Sequence, residues 1–402
     1  MSASILSLAP YIPSDQALAQ SGLPDKAMTV ITQSAKLTGQ LSPLTFTTLS
    51  RYMRVVNSYY SNLIEGNPTK PYEIRAATLG KLNSDPAKRD LQQESLGHIR
   101  VQEWIDEQTL NLDRIFSAEF IQDIHQQFYQ AIPESLWRIK DDDGNEVGKI
   151  EPGEWRTSDV KVGQHIAPEA ADVPNLIARF CDTYHPQKYQ GDRKLIAIMA
   201  AHHRFAYIHP FADGNGRVGR LLTDAALKAI GLESYGAWCV SRGLARSSLD
   251  YKRALAGADT VRQGDHDGRG ALSENSLLSL CDYMLDTAVD QVTYMSDLLN
   301  LGNLRNRIDR YVQARNDDRV AGVSAELKSS ASLVLYSAFI QGELERSQAL
   351  ELCAMPVRSA RRLLSQLKKE GLLSETSSKS PLRWEIPEHA EPWYFPDLAP
   401  VR

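Results

Sequence analysis

The chain has 402 residues, a formal net charge of −5 at pH 7 and an apolar content of 42%. This length provides apolar core for two or three domains, and the acidic balance argues against a protein whose whole surface binds nucleic acid. No run approaches the ~18 apolar residues of a membrane span and no secretion signal is evident, so we expect a cytoplasmic protein without a membrane contact. Four cysteines lack disulfide or zinc spacing and are expected to be buried, reduced thiols: Cys181, Cys239, Cys281 and Cys353.

The pattern along the chain predicts four parts. Residues 1–36 contain several prolines and are expected to form an N-terminal extension that wraps the surface. A helical domain is expected over 37–290, followed by a connecting helix and linker over 291–325. Residues 326–402 are expected to form a separate small domain and tail.

A helix is predicted over 42–65, because apolar residues recur at three or four positions and Ser42 with Pro43 is a start signal. Gly66 ends it. Glu65 therefore lies at the negative end of the helix dipole, where an exposed anion is disfavoured by ~0.3–1 kcal/mol. The position predicts a cationic partner for Glu65, although a solvated carboxylate is the alternative.

A short hairpin is predicted from Gly153–Arg156 and the segment Val160, Lys161, Val162 and Gly163, which alternate weakly and include a turn glycine. An exposed strand edge binds extended peptides through main-chain hydrogen bonds, with little demand on their sequence. A plain surface loop is the alternative.

The most informative segment joins two predicted helices, 194–208 and 217–230. It reads His-Pro-Phe-Ala-Asp-Gly-Asn-Gly-Arg-Val-Gly-Arg from His209 to Arg220. Its glycines and the N-terminus of the second helix form a site suited to an anion, and two arginines three positions apart suit a polyphosphate. The other polar side chains also suit nucleotide chemistry: Asp213 for Mg²⁺, Asn215 for a phosphate oxygen and His209 for a proton.

Taken singly, each of these residues has an ordinary interpretation. A half-buried histidine, a Gly-Asn-Gly turn and solvated helix arginines are all common in proteins. The ordered combination is what indicates a site.

This segment resembles the signature of the Fic family, His-x-Phe-x-Asp/Glu-Gly-Asn-Gly-Arg-x-x-Arg, and every position of the signature is present. The resemblance implies a mainly α fold, a Fic-like helical bundle with a short β-hairpin flap. It implies a nucleotidyltransferase that moves AMP from ATP to a Ser, Thr or Tyr hydroxyl of a target protein. Relatives that phosphorylate instead carry Lys where this chain has Gly216.

The resemblance also implies a role for each residue of the signature. His209 would be the base, Phe211 the anchor of the loop and Asp213 the ligand of Mg²⁺. The nucleotide would be bound by the remaining positions: Gly214, Asn215, Gly216, Arg217 for the β-phosphate and Arg220 for the γ-phosphate.

Two further segments are similar to elements of the same family. Ser61, Glu65 and Gly66 match its inhibitory motif, Ser/Thr-x-x-x-Glu-Gly/Asn, placed as in the class whose inhibitory helix precedes the Fic domain. There the glutamate competes with the ATP γ-phosphate for the second arginine, here Arg220. The hairpin resembles the flap that docks the target, and Tyr251 lies where relatives have a tyrosine lining the adenine pocket.

Residues 326–388 resemble a winged helix, a small α+β domain. The pattern predicts helices over Ala331–Ile340, Ser347–Cys353 and Val357–Glu370, then a hairpin over Leu372–Ile386. The third helix and the wing carry the basic residues Arg358, Arg361, Arg362, Lys368, Lys369, Lys379 and Arg383. Such a face suits phosphates, but winged helices also bind proteins, and basic faces are often only solvated.

Two classes of function remain open at this point. One is an adenylyltransferase inhibited by its own N-terminal helix, with self-modification and removal of AMP as further activities. The other is a DNA-binding regulator that uses the nucleotide site as a sensor. The target, a homodimer and a DNA or protein partner are left open by the sequence.

Overall fold

The structure is a computed structural model that describes residues 8–108, 111–140, 145–323, 326–398 and 400. It is mainly helical, as predicted. The helices are α1 (Asp15–Gln20), α2 (Leu23–Thr38), α3 (Pro43–Ile64), α4 (Pro71–Thr78), α5 (Pro86–Glu107), α6 (Leu112–Ile115), α7 (Ala118–Gln130), α8 (Val173–Tyr184), α9 (Arg193–Ile208), α10 (Asn215–Ala229), α11 (Val240–Arg246), α12 (Ser248–Ala258), α13 (Glu274–Leu298), α14 (Leu301–Asn316), α15 (Ser330–Gln341), α16 (Arg346–Leu352), α17 (Val357–Lys369) and α18 (Glu391–Tyr394). The strands are β1 (Arg138–Lys140), β2 (Glu146–Lys149), β3 (Lys161–Val162), β4 (His165–Ile166), β5 (Glu343–Leu344), β6 (Leu373–Ser374) and β7 (Leu382–Trp384).

Helix α3 agrees with its prediction to within the capping residues. The hydroxyl of Ser42 accepts a hydrogen bond from the main-chain N–H of Thr45 at 3.2 Å, and Pro43 occupies the first turn. Glu65 caps the C-terminus, and Gly66 follows in the left-handed region with φ of 85°. Glycine adopts that conformation without a steric penalty, so the chain can reverse directly after Glu65.

Helices α9 and α10 form the centre of the bundle. Most of α9 is buried, and it packs against α8, α10, α13 and α2. Helix α10 begins two residues earlier than predicted, at Asn215, because Gly214 already adopts the N-cap position with φ of 80°. The loop between the two helices is therefore fixed on both sides by buried elements.

Residues 1–36 were predicted to wrap the surface, and the described part of this segment contains a helix that packs into the bundle. Helix α2 packs along α13 and buries Leu23, Ala27 and Val30, which recur at three or four positions. This apolar stripe makes α2 a member of the bundle.

The predicted connecting helix is two helices. Helix α13 ends at Leu298, and the side chain of Asn300 starts α14 by accepting from the main-chain N–H groups of Gly302 and Asn303 at 3.1 and 3.3 Å. The apolar spacing continues across the break, so periodicity alone does not reveal it. The N-cap residue Asn300 marks the start of the second helix.

Residues 326–388 have the element order helix, strand, helix, helix, strand, strand. Strand β7 lies between β5 and β6 in an antiparallel sheet, with Leu344 opposite Leu382 and Leu373 opposite Trp384. Strand β5 was not predicted, because two residues are too few to show an alternation. The winged-helix assignment remains a prediction.

This C-terminal unit packs against the helical domain that precedes it, and the division into separate domains stays a prediction. After β7 the chain returns to α3, where the Tyr52 hydroxyl donates to Glu391 at 2.7 Å and the Tyr60 hydroxyl donates to the carbonyl of Leu398 at 3.2 Å. One continuous apolar core includes residues from both parts. The composition of a segment does not reveal such a return, because it depends on tertiary packing.

None of the helices in the described ranges is long and apolar enough to cross a bilayer. All four cysteines are free and buried, as predicted. Burial raises the pKa of three of the thiols, Cys181, Cys239 and Cys281, to about 12, so these are protonated at neutral pH.

Candidate functional site

The loop between α9 and α10 is closed by its own side chains. Asn215 accepts from the main-chain N–H of Phe211 at 2.9 Å and donates to the Phe211 carbonyl at 2.8 Å. The amide of Asn215 thus holds the loop in shape, and its donation to a phosphate oxygen stays a prediction. A glycine is favoured at position 214 because its φ is positive, and because a Cβ there would lie 3.0 Å from the hydroxyl oxygen and 3.1 Å from a ring carbon of Tyr129.

Phe211 anchors this loop in the core, which is the role that the resemblance implied. It is fully buried, its ring stacks on His125 at 3.9 Å between centroids and it packs against Trp155 at 4.9 Å. Phe211 is therefore not part of the cavity wall. His125, which the sequence analysis missed, also contacts the main chain on both sides, at Gly153 (2.8 Å) and Asp213 (3.3 Å).

A cavity of about 820 Å³ opens beside the loop. Its wall consists of the end of α3, the turn between β3 and β4, and parts of α9, α10 and α12. The cavity brings together His209, Gly216, Arg220, Glu65 and Tyr251 from the predicted site. A volume of this size suits a nucleotide-sized ligand.

His209 lies at the end of α9 with left-handed backbone angles, φ 49° and ψ 61°. This conformation directs the chain into the loop and is unusual for a residue other than glycine. Burial, reinforced by the nearby His165, lowers the pKa of His209 to about 4, so its ring is neutral at pH 7. A neutral imidazole is able to accept a proton, as a general base requires.

Asp213 is exposed. One oxygen accepts from the Gly214 N–H at 2.7 Å and the other lies 3.4 Å from the Tyr129 hydroxyl. In the parts of the chain that the structure describes, no group of three or more acidic, His or Cys side chains is arranged to hold a metal ion. A single carboxylate is compatible with Mg²⁺, which commonly binds one or two carboxylates together with the phosphates of its substrate.

Arg220 is held by the end of helix α3. Its guanidinium donates to the Ser61 hydroxyl at 2.8 Å, to the Ser61 carbonyl at 3.0 Å and to Glu65 Oε1 at 2.7 Å. The Arg220 side chain is 2% exposed and that of Glu65 is 35% exposed. Burial opposes ionisation of Glu65, but Arg220 and Arg217 outweigh it and lower the pKa of Glu65. The predicted cationic partner of Glu65 is therefore Arg220.

Gly216 leaves the space that Glu65 occupies. A Cβ at position 216 would overlap Glu65 Oε1, and the Arg220 guanidinium would be 3.2 Å from it. The absence of a side chain at this position is thus required for the Glu65–Arg220 contact in this geometry.

Arg217 faces a different direction from Arg220. It pairs with Glu94 of α5 at 3.4 Å, stacks over the ring of Phe128 at 4.7 Å and lines a neighbouring cavity that also contains Asp213. Burial opposes the charge of Arg217, but nearby acidic groups, Glu94 first, raise its pKa. The sequence analysis missed Glu94, because only tertiary packing brings α5 to α10.

The hairpin differs in position from its prediction. Strands β3 and β4 pair Lys161 with Ile166 and Val162 with His165, whereas Gly153–Arg156 is loop. The predicted flap segment 160–163 thus supplies one strand and the start of the turn. Its partner strand was missed, because two residues carry too little alternation to be recognised.

His165 of β4 fastens this hairpin to the cavity wall. Its two ring nitrogens lie 2.8 Å from the carbonyl of Tyr207 and 3.3 Å from a carboxylate oxygen of Asp259. The other Asp259 oxygen accepts from His203 at 2.8 Å. Both acceptors of His165 are bonded at once only if the ring is protonated.

The contacts of His165 predict a pH-dependent hairpin. Burial opposes its charge, but the bonds to Asp259 and Tyr207 raise the pKa of His165, while the two histidines overcome the burial of Asp259 and lower its pKa to about 2. A pKa raised by folding stabilises the folded state below the unfolded value, and that stabilisation is lost as pH rises through the raised value.

We therefore expect the amides of residues 159–167 to become less protected between pH ~6 and pH ~8.5, after correction for intrinsic exchange. Hydrogen exchange measures the protection of these amides at the two pH values. The variant His165→Phe serves as the control, since residue 165 then carries no titrating group. The protection of its hairpin amides should not change with pH. Equal protection of the wild-type hairpin at both pH values would refute the pH dependence.

Tyr251 lines the cavity, and its contact with an adenine ring stays a prediction. It is 4% exposed, and its hydroxyl lies 2.8 Å from His202 Nε2. The other nitrogen of His202 lies 2.8 Å from the Thr223 hydroxyl, and burial lowers the pKa of His202 to about 3. A neutral His202 therefore fixes the tyrosine ring against the wall.

Comparisons with known proteins show what the chain is similar to. Residues 115–227 match the family model "Fic/DOC family". The chain is 30% identical over 181 residues to the protein adenylyltransferase Fic of Aedes aegypti, an alignment that covers 43% of this chain and 32% of that protein. The chain thus spans about a third of the length of the curated relatives that it matches.

Two solved structures share the fold. A Fic family protein from Desulfovibrio desulfuricans superimposes with a TM-score of 0.52 at 19% identity, covering 89% of this chain and 95% of that one. Residues 134–508 of Fic-1 from C. elegans superimpose with a TM-score of 0.53 at 15% identity, covering 70% of this chain and 73% of that one. At these identities the likeness concerns the fold.

Proposed function

Because the chain carries a domain of the Fic/DOC family, we propose that it is a protein adenylyltransferase, which transfers AMP from ATP to a Ser, Thr or Tyr hydroxyl of a target protein. The observation that carries the proposal is the cavity beside the complete signature. It combines a neutral base, His209, with the N-terminus of α10 and the guanidinium of Arg220. Curated relatives named protein adenylyltransferase support the same activity.

The chemistry is an in-line displacement at the α-phosphorus. The target hydroxyl loses its proton to His209, its oxygen bonds to the α-phosphorus, and the bond to the β-phosphate oxygen breaks to release pyrophosphate. Positioning and charge neutralisation supply most of the rate in such reactions. The free N–H groups at the start of α10 would hold the α-phosphate, and the edge of the β3–β4 hairpin would align the target strand.

Asp213 would hold the Mg²⁺ of the nucleotide. The ion, when bound, supplies positive charge that neutralises the phosphates and the leaving pyrophosphate. The Tyr129 hydroxyl and the Gly214 N–H donate to the two oxygens of this carboxylate and orient it.

The contact between Glu65 and Arg220 is proposed to inhibit the enzyme. The ATP γ-phosphate and Glu65 are alternative anions for one guanidinium, and Ser61 keeps that guanidinium close to α3. ATP would bind with its γ-phosphate displaced while Glu65 is in place. Its α-phosphate would then be misaligned for in-line attack.

Labelled ATP tests the activity. Wild type and Glu65→Gly are incubated with α-labelled or γ-labelled ATP and a protein mixture, and label on protein is measured. AMP transfer places only the α-label on protein, whereas phosphorylation places only the γ-label. If neither the wild type nor Glu65→Gly places the α-label on protein, the proposed activity is rejected. Release of AMP from protein already modified would instead favour the removal reaction.

A second function, binding of duplex DNA, is favoured by the surface of α17. Its exposed residues include Arg358, Arg361, Arg362 and Lys369, and the described structure gives these four no carboxylate at ion-pair distance. Two of the seven basic residues counted in the sequence are neutralised, however. Lys368 pairs with Glu375 and Arg383 with Glu343. The free basic face is therefore smaller than predicted.

We expect the full chain to bind a 20-base-pair duplex in low salt, with an affinity that falls as salt rises. Replacing Arg358, Arg361 and Arg362 together by Gln should reduce the salt slope by about three, or roughly one per phosphate contact. Arg383→Gln is the matched control and should leave the slope unchanged, because its charge is already paired. Absence of duplex binding by the wild type at low salt would dismiss this function.

A further inference from the structure

Arg156 lies beneath the hairpin, and its side chain is only 1% exposed. It precedes β3 and joins the two ends of the hairpin segment. Its guanidinium donates to the carbonyl of Ser158 at 2.9 Å and to the carbonyl of Pro168. A single side chain thus closes the base of the flap.

The same side chain contacts the catalytic loop. Nε of Arg156 donates to the carbonyl of His209 at 2.8 Å, and Nη2 approaches the carbonyl of Ile208 at 3.4 Å. The main-chain N–H of Arg156 donates to the carbonyl of Pro210 at 2.9 Å. Arg156 therefore contacts three consecutive carbonyls around the base.

These contacts are unusual for a buried charge. Burying a guanidinium is costly, and such charges are normally paired with a carboxylate. The nearest carboxylate oxygen, on Asp159, lies 3.9 Å away on a side chain that is 72% exposed. Main-chain carbonyls satisfy Arg156 instead, in a fork geometry that a lysine does not reproduce.

His209 needs such support because of its backbone. Its left-handed φ of 49° is disfavoured for a residue with a Cβ, and it persists only where the surroundings hold it. The carbonyl that receives the Nε–H of Arg156 belongs to this residue. The guanidinium is therefore placed to hold the peptide group that sets the direction of the imidazole.

We propose that Arg156 is a positioning residue that fixes the target-docking flap relative to the base His209, so that a hydroxyl presented by the flap meets the imidazole. This inference rests on the proposed function of the cavity. Arg156 touches neither the cavity nor the phosphate-binding residues, and it acts through the main chain of the flap and of the loop.

The test compares Arg156→Gln and Arg156→Lys in the Glu65→Gly background. Nucleotide affinity, measured by calorimetry with Mg-ATP, should stay within about threefold, since the phosphate-binding groups are untouched. The kcat for transfer to protein should fall by roughly 100-fold in both variants, because displacement by about 1 Å costs that much. The matched control is Arg315→Lys, which also alters a buried guanidinium, but one that pairs with Glu370.

A pH profile separates positioning from general destabilisation. The charge of Arg156 is one of the factors that lower the pKa of His209, after burial and His165. The acid limb of the kcat profile should therefore move to higher pH in Arg156→Gln and less in Arg156→Lys. Unchanged kcat, or a loss of affinity and kcat in proportion to the unfolded fraction, would overturn the proposal.

Failure of the proposed function is distinguishable from failure of this inference. If the Glu65→Gly parent transfers no AMP, the function is rejected. The positioning claim is still tested by hydrogen exchange of residues 158–168 without nucleotide. Faster exchange in Arg156→Gln than in the parent supports the clamp, and equal exchange overturns it.

Discussion

Replacement of Glu65 by glycine should raise AMP transfer by at least about 10-fold, including transfer to the chain itself. The substitution removes the carboxylate that occupies Arg220 at 2.7 Å and leaves the guanidinium for the γ-phosphate. Hydrogen bonds to charged groups contribute about 1.5–3 kcal/mol, and the exposed third of Glu65 reduces that value to roughly 1–2 kcal/mol. A tenfold change corresponds to about 1.4 kcal/mol, and correct alignment of the α-phosphate adds to it.

The measurement is the initial rate of incorporation of α-labelled AMP. Glu107→Gly is the matched control, because Glu107 also lies at the C-terminal end of a helix, α5, but outside the cavity wall. Its rate should equal that of the wild type. The double variant Glu65→Gly/Arg220→Ala should lose the gain, since Arg220 is the group released. Equal rates for Glu65→Gly and the wild type would reject the inhibitory role.

Replacement of His209 by alanine should abolish transfer in the Glu65→Gly background, with a fall of about 10²–10⁴-fold. General-base catalysis by a positioned side chain contributes this range. Burial chiefly lowers the pKa of the imidazole to about 4, so the ring is neutral at pH 7 and, in the proposed function, would accept the proton of the target hydroxyl. Affinity for Mg-ATP should remain, because in the proposed function α10 and Arg220 bind the phosphates and His209 does not.

Two measurements separate loss of the base from loss of the site. Calorimetry reports nucleotide affinity, and labelled ATP reports transfer. The exposed His266 supplies the control, since His266→Ala removes an imidazole that is not part of the cavity wall and should retain the parent rate. Full transfer by His209→Ala would remove this residue from its assigned role.

Local sequence was sufficient for elements whose signals are contained in a few neighbouring residues. Helix α3 was predicted to its caps because Ser42 and Pro43 mark the start, and Gly66 the end, of a long run of regularly spaced apolar residues. The motif loop was recognised because its residues are consecutive, and the loop indeed lies on a cavity. The hairpin was misplaced, since each of its strands has only two residues.

The sequence by itself determined the helical class of the fold, the turn between α9 and α10, and the presence of an anion at the end of α3. It could do so because periodicity, capping and motif spacing are local properties of the chain. Only the tertiary structure decided that Glu94 meets Arg217, that Arg156 clamps the flap to His209, and that the C-terminal tail returns to α3. These contacts join segments far apart in the chain, and their geometry follows from the packing of buried side chains and the need to satisfy each buried charge.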